Sequence, residues 1–130
     1  LIVDDEDDTR EAMASLLSGA GYDTVEASDG RQALDRLARM SKPTAVLLDL
    51  LMPMMGGVEV IEELARRNEL RELNVLIVSA SDDIRATNEV AKRLPMLCKP
   101  FDGARLLDFI ESHCGTNRQG GAPAGCDELR

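Results

Sequence analysis

The chain of 130 residues carries 24 acidic and 15 basic side chains, a formal net charge of −9 that argues against nucleic-acid binding through general electrostatics. Hydrophobic residues at 44% suffice for one domain with a single core, whereas aromatics at 2% (Tyr22, Phe101 and Phe109, with no Trp) offer no platform for stacking bases. No apolar stretch approaches the ~18–20 residues of a membrane span, and no basic, apolar leader opens the chain, so neither membrane association nor export is expected.

Strand-like and helix-like patterns then alternate, five of each. Leu1–Val3 is apolar and ends in Asp4-Asp5; because the chain begins inside this strand, its natural start is expected upstream. A helix follows over about Asp8–Ala20, with Ala12, Met13, Leu16, Leu17 and Ala20 as one apolar stripe and Gly19 and Gly21 at its end. Thr24–Ala27 predicts a short second strand, and Asp29 caps a helix that turns Ala33, Leu34, Leu37 and Ala38 inward. Pro43 closes the approach to a third strand, Ala45–Leu48, which ends at Asp49 and runs into the loop Leu50-Leu-Met-Pro-Met-Met-Gly-Gly57. Val58, Ile61, Leu64 and Ala65 mark a third helix. Val75–Val78 is a fourth strand ending at Ser79, and a helix is expected from Asp82 or Asp83 to about Arg93. Met96–Cys98 is a fifth strand leading into Lys99-Pro100, and Asp102 caps a last helix bearing Leu106, Leu107 and Ile110. From Gly115 to Arg130 no periodicity remains, so residues 1–114 form the domain and 115–130 a flexible tail or linker.

Alternating strands and helices imply an α/β fold, a parallel sheet covered on both faces by right-handed crossovers. The second and fifth strands are the least apolar and suit the edges; the third and fourth belong in the middle with the first. The expected order is 2-1-3-4-5, with the switch point between the first and third strands, where ligands of such sheets bind. Cys98, Cys114 and Cys126 are an odd set without CxxC spacing, so neither a disulfide framework nor a zinc site is expected; Cys98 reads as a small buried hydrophobe and the compartment as a reducing cytoplasm. His113 is the only histidine and lies near a helix end, which sets aside histidine-based metal sites and triads.

Four strand ends thus present Asp4-Asp5, Asp49, Ser79 and Lys99. Any one of these would ordinarily be a cap, a turn former or a solvated charge. Converging on one edge, they put three carboxylates, a hydroxyl and an ammonium into one pocket, a site for a divalent cation and a phosphoryl group. Magnesium favours near-octahedral oxygen ligands and keeps several waters, which suits two or three carboxylates plus a carbonyl. Phosphoryl transfer needs in-line positioning and neutralised oxygens, which the cation and Lys99 would share. Met52, Met54 and Met55 read as loop and core packing rather than as a binding surface.

Val3-Asp-Asp-Glu6, Leu48-Asp-Leu-Leu-Met-Pro53 with Gly57, Val78-Ser-Ala80 and Lys99-Pro-Phe101 occur in order over about residues 1–114, and together they resemble the response-regulator receiver domain of two-component signal transduction, chemotaxis receivers included. The resemblance implies a flavodoxin-like, doubly wound fold with five strands and five helices. It also implies a signalling domain rather than an enzyme acting on an outside substrate, one that takes a phosphoryl group from a histidine kinase or histidine phosphotransfer protein and switches an output domain or effector. On that pattern Asp49 matches the phosphoacceptor, Ser79 the switch hydroxyl and Lys99 the phosphate-binding lysine. Asp5 matches the direct magnesium ligand, Asp4 the acid acting partly through water, and the Leu51 backbone carbonyl a further ligand beside Asp49. The family commonly has the Lys99-Pro100 bond cis, and a homodimer would use the face of the fourth helix, fifth strand and fifth helix.

Three departures bear on switching. Met96 stands where the family usually has Tyr, Phe or His, Pro95 replaces a small or polar neighbour, and Ser79 replaces Thr with the same hydroxyl. Leu51 and Ser81 occupy positions that tune hydrolysis in the family, and Leu51 has no group to orient an attacking water. Two other classes stay open: a receiver-like interaction module that no longer takes phosphate, and an aspartyl-nucleophile, magnesium-dependent phosphatase resembling haloacid-dehalogenase-like hydrolases. Against the second, Glu6 and Leu51 stand two residues beyond Asp4 and Asp49, where that class has Asp-x-Asp after its first strand.

Overall fold

The computed structural model describes residues 1–41, 43, 45–52, 55–80, 85 and 88–115, without the side chains of 114 and 115. Five strands, β1 (Ile2–Val3), β2 (Glu26–Ala27), β3 (Val46–Leu48), β4 (Val75–Ser79) and β5 (Met96–Cys98), form one sheet in the order β2-β1-β3-β4-β5. All neighbours are parallel. This is the flavodoxin-like order expected from the apolarity of the strands. As an inner strand β1 bonds in both directions: Ile2 N donates to Val25 O at 2.8 Å, and Val3 O accepts from Asp49 N at 3.0 Å.

Four α-helices lie among the described residues: α1 (Asp7–Gly19), α2 (Gly30–Arg39), α3 (Gly57–Arg66) and α4 (Gly103–Ile110). Of the helix expected from Asp82 or Asp83 to Arg93, residues 82–84 and 86–87 lie outside the described residues; Arg85 is helical, but Asn88–Val90 are not and Ala91–Arg93 form a single 3₁₀ turn, so the α-helix does not extend to the expected end. The tail predicted from Gly115 also lies outside, apart from Gly115, which closes a π turn, Glu111–Gly115. Among the described residues no helix is long and apolar enough to cross a membrane.

Successive strand residues face opposite sides, so the sheet divides the core in two. Val3, Val46, Leu48, Val75, Ile77 and Met96 pack toward α2 and α3, against Ala33, Val60, Ile61 and Leu64. Ile2, Leu47, Leu76, Val78 and Leu97 pack toward α1 and α4, against Met13, Ala14, Leu17, Leu106, Phe109 and Ile110. The stripe of α1 is therefore rotated from the expected one: Ala14 is buried, while Ala12 and Ala20 are exposed. Ala38 of α2 is exposed as well, and Val60 and Phe109 join the core although their helices read without them. Alanine carries so little apolar surface that periodicity alone does not decide which one faces in.

Both expected caps form. Asp29 accepts from Gln32 N at 2.8 Å and Asp102 from Arg105 N at 2.9 Å, each relieving an unpaired donor of the first turn. The bond Lys99-Pro100 is cis. Cys98 departs from its reading as a buried hydrophobe: it is half-buried and disulfide-bonded.

Candidate functional site

The C-terminal ends of β1, β3, β4 and β5 deliver Asp4, Asp49, Ser79 and Lys99 to one edge of the sheet, at the switch point flanked by β1 and β3. Asp4 is the first residue past β1, and its backbone N still donates to Ala27 O at 3.1 Å, so strand pairing holds the residue in place. Its Oδ1 accepts from Glu6 N at 2.9 Å, turning the chain toward α1. Asp49 follows β3, and its Oδ1 accepts from Leu51 N at 3.2 Å. The loop behind it is anchored by a close approach at Gly57. A Cβ there would stand 2.3 Å from Asp49 O and 2.8 Å from Leu50 Cα, both backbone atoms with nowhere to go.

Two of the three carboxylates are buried: Asp4 is 1% exposed and Asp49 7%, whereas Asp5 is exposed at the mouth. One oxygen from each of Asp4, Asp5 and Asp49 lies within 4.8 Å of the others. Lys99 reaches over from β5, its Nζ 2.6 Å from Asp4 Oδ2 and 3.4 Å from Asp49 Oδ2. Ser79 is buried at the end of β4, and its carbonyl accepts from Lys99 N at 2.8 Å, so the hydroxyl-bearing residue and the lysine are held by one ladder. Leu51 projects its side chain into solvent beside this pocket. Sequence reasoning placed all of these together. It did not show that the lysine's shorter contact is to Asp4.

Electrostatics follow from that geometry. Burial pushes the Asp49 carboxyl above the ordinary carboxylate range; Lys99 pulls it back in part, and the neighbouring Asp4 pushes it up again. Burial alone would lower Lys99, but its hydrogen bond to Asp4 and the charges of Asp49 and Asp4 outweigh it, so its ammonium is held more firmly than usual. The chemistry of the donor set fits magnesium: three carboxylates packed this closely, with one ammonium for two buried charges, form a hard-oxygen site that still lacks positive charge. Beside Lys99 opens an apolar groove of about 610 Å³ between α1 and the start of α4, lined among others by Ala12, Leu16, Ala80, Pro100 and Phe101.

The profile of the response regulator receiver domain matches residues 1–111. The chain belongs to that family. It is 38% identical over 109 residues to the response regulator MprA of Mycolicibacterium vanbaalenii, covering 82% of this chain and 46% of that protein. It is 30% identical over 119 residues to the polar-differentiation response regulator DivK of Brucella anthropi, covering 88% of this chain and 94% of that protein. The chain thus spans about half the length of the MprA relatives and nearly all of DivK. Among solved structures it resembles the receiver domain of NtrX from Brucella abortus, with a TM-score of 0.76 and 28% identity over 89% of this chain and 98% of that one. Receiver domains of this kind are signalling domains of two-component systems, working between kinases and output functions.

Proposed function

We propose that this receiver domain accepts a phosphoryl group on Asp49 from a phosphohistidine, supplied by a histidine kinase or a histidine phosphotransfer protein. One observation carries the reading: three carboxylates from two strand ends meet within 4.8 Å under a lysine that contacts two of them. Asp5, Asp49 and the Leu51 carbonyl would hold magnesium, with Asp4 in support through water, since the partners of the Asp4 oxygens, at 2.9 and 2.6 Å, hold them more tightly than those of Asp49, at 3.2 and 3.4 Å. When bound, the ion supplies the positive charge that neutralises the phosphoryl oxygens.

Asp49 is the nucleophile. An oxygen of its carboxylate forms the new bond to phosphorus as the bond from phosphorus to the donor imidazole nitrogen breaks, and the nitrogen keeps that electron pair. Leu51 N steadies Asp49 Oδ1 and leaves Oδ2 facing Lys99. Lys99 is already aimed at the two buried carboxylates and would pass one of its hydrogen bonds to a phosphoryl oxygen. Ser79, at the end of the neighbouring strand, would follow the new group with its hydroxyl and carry the change to the face around β5. The apolar groove beside Lys99 suits the donor's helix, placing an imidazole at the mouth. Hydrolysis of the aspartyl phosphate resets the domain, and the apolar Leu51 does nothing to hasten it.

Incubation with magnesium and acetyl phosphate should add the mass of one phosphoryl group to the wild type and none to Asp49→Asn. Equal labelling of both proteins would remove Asp49 from this role. No labelling of either, with the fold intact, would favour an interaction module that does not take phosphate.

A further inference from the structure

Arg10 lies on the second turn of α1 and belongs to none of the strand ends that build the site. Its side chain is only 13% exposed, and every nitrogen of its guanidinium is engaged. Nη1 donates to the backbone carbonyl of Asp4 at 2.9 Å, Nε to Glu26 Oε1 at 3.0 Å and Nη2 to Asp7 Oδ1 at 2.8 Å. One planar group therefore ties the end of β1 to β2 and to the first turn of α1. The carbonyl it takes lies just past the sheet: β1 ends at Val3, whose own carbonyl accepts from Asp49 N, the first residue beyond β3.

The Asp4 carbonyl shares its peptide plane with the nitrogen of Asp5. Holding one fixes the other, and so fixes where the exposed carboxylate of Asp5 starts from. Asp4 is secured independently, through its own N, its Oδ1 and Lys99. Asp5 depends on this peptide and on the turn to Glu6. A cation near three metal-ligand carboxylates would by charge alone weaken magnesium binding. Here two anions, Asp7 and Glu26, pair with the single guanidinium, so its field toward the pocket is offset while its hydrogen bonds persist.

We infer that Arg10 is a positioning residue for the acidic loop: by clamping the Asp4 carbonyl it sets the Asp5 peptide and strengthens magnesium binding although it is itself a cation. The inference rests on the magnesium site proposed above. Lysine cannot replace it, because an ammonium cannot span the carbonyl, Glu26 and Asp7 in one plane. Charge and clamping predict opposite signs. If charge governed, Arg10→Lys would leave magnesium affinity unchanged and Arg10→Met would raise it. Clamping predicts that both lower it, by about 10-fold or more, the usual effect of losing a group that orients a metal ligand.

Calorimetric titration of magnesium into the whole chain, with urea unfolding in EDTA alongside, separates these accounts. Arg36→Met serves as the control. Arg36 Nε donates to the Glu26 carbonyl at 3.0 Å and has no bond to the Asp4 loop, so its loss should lower stability and leave magnesium affinity as it was. Weaker binding in Arg10→Lys and Arg10→Met, with Arg36→Met unchanged, supports the inference; where the methionine variant does not fold, the lysine variant decides. Wild-type or tighter binding in the Arg10 variants overturns it, as does an equal weakening in Arg36→Met. If the wild type itself takes up no magnesium, the proposed site fails and the inference with it.

Discussion

Replacing Lys99 with methionine keeps the length of the side chain and removes its charge, leaving Asp4 and Asp49 facing one another. In the wild type Lys99 Nζ stands 2.6 Å from one and 3.4 Å from the other, and the side chains of Asp4, Asp49 and Lys99 are only 1%, 10% and 18% exposed. Removing one partner of a well-buried ion pair costs about 3–5 kcal/mol, and the wetter mouth of this pocket brings the expected loss to about 2–4 kcal/mol at pH 8 without divalent ions. The loss should depend on pH in a definite direction. Asp49 already has a folded-state pKa above its unfolded value, so its ionisation works against the fold as pH rises from the unfolded value through the folded one. Without Lys99 that folded value rises further, and the fold pays at most about 1.4 kcal/mol per pH unit over the widened window. Lys99 itself, raised above its unfolded value, stays charged throughout and loses its contribution only at much higher pH. Urea unfolding followed by far-ultraviolet circular dichroism at pH 5 and pH 8 would therefore show a smaller deficit at the lower pH than at the higher. A deficit below about 1 kcal/mol at pH 8, or one equal at both pH values, would refute the electrostatic account of this pocket.

Asp49→Asn should stabilise the metal-free protein at pH 7, where the raised carboxyl is ionised against its preference, and the gain should fade as pH falls toward the unfolded carboxylate value; thermal melting in EDTA across that range checks it. Gly57→Ala places a methyl against Asp49 O and Leu50 Cα, which should lower stability by about 1–3 kcal/mol and displace the Asp49 amide signal in NMR spectra, whereas an unperturbed Asp49 signal would mean that the loop yields without moving the acid. Met96 is fully buried in the core and brings no polar tip to the switch position, so phosphorylation should produce smaller chemical-shift changes around it than in Met96→Tyr, with similar rates of phosphate uptake; larger changes in the wild type would make methionine a competent switch.

The order of the sheet and the acidic edge were legible in the sequence because parallel strands buried on both faces must be continuous apolar runs, and Leu1–Val3, Ala45–Leu48 and Val75–Val78 are such runs, each ending in a polar residue. Asp29 and Asp102 were equally plain as caps, since a cap is a local hydrogen bond spanning three residues. Helix rotation was not, because the stripe of α1 is filled partly by alanines, and only contact with Leu106, Phe109 and Ile110 selects Ala14 over Ala12. Within the site, residue types and strand ends foretold the company that Asp4, Asp5, Asp49, Ser79 and Lys99 keep. That one of three crowded carboxyls would be raised follows from the residue types, but that it is Asp49, the pairing of Lys99 with Asp4 across 95 positions and the reach of Arg10 from α1 to β2 came only from tertiary structure. Local pattern encodes what a residue meets within a turn or a strand; burial and long-range hydrogen bonds, which set a charge's energy, exist only once the sheet has assembled.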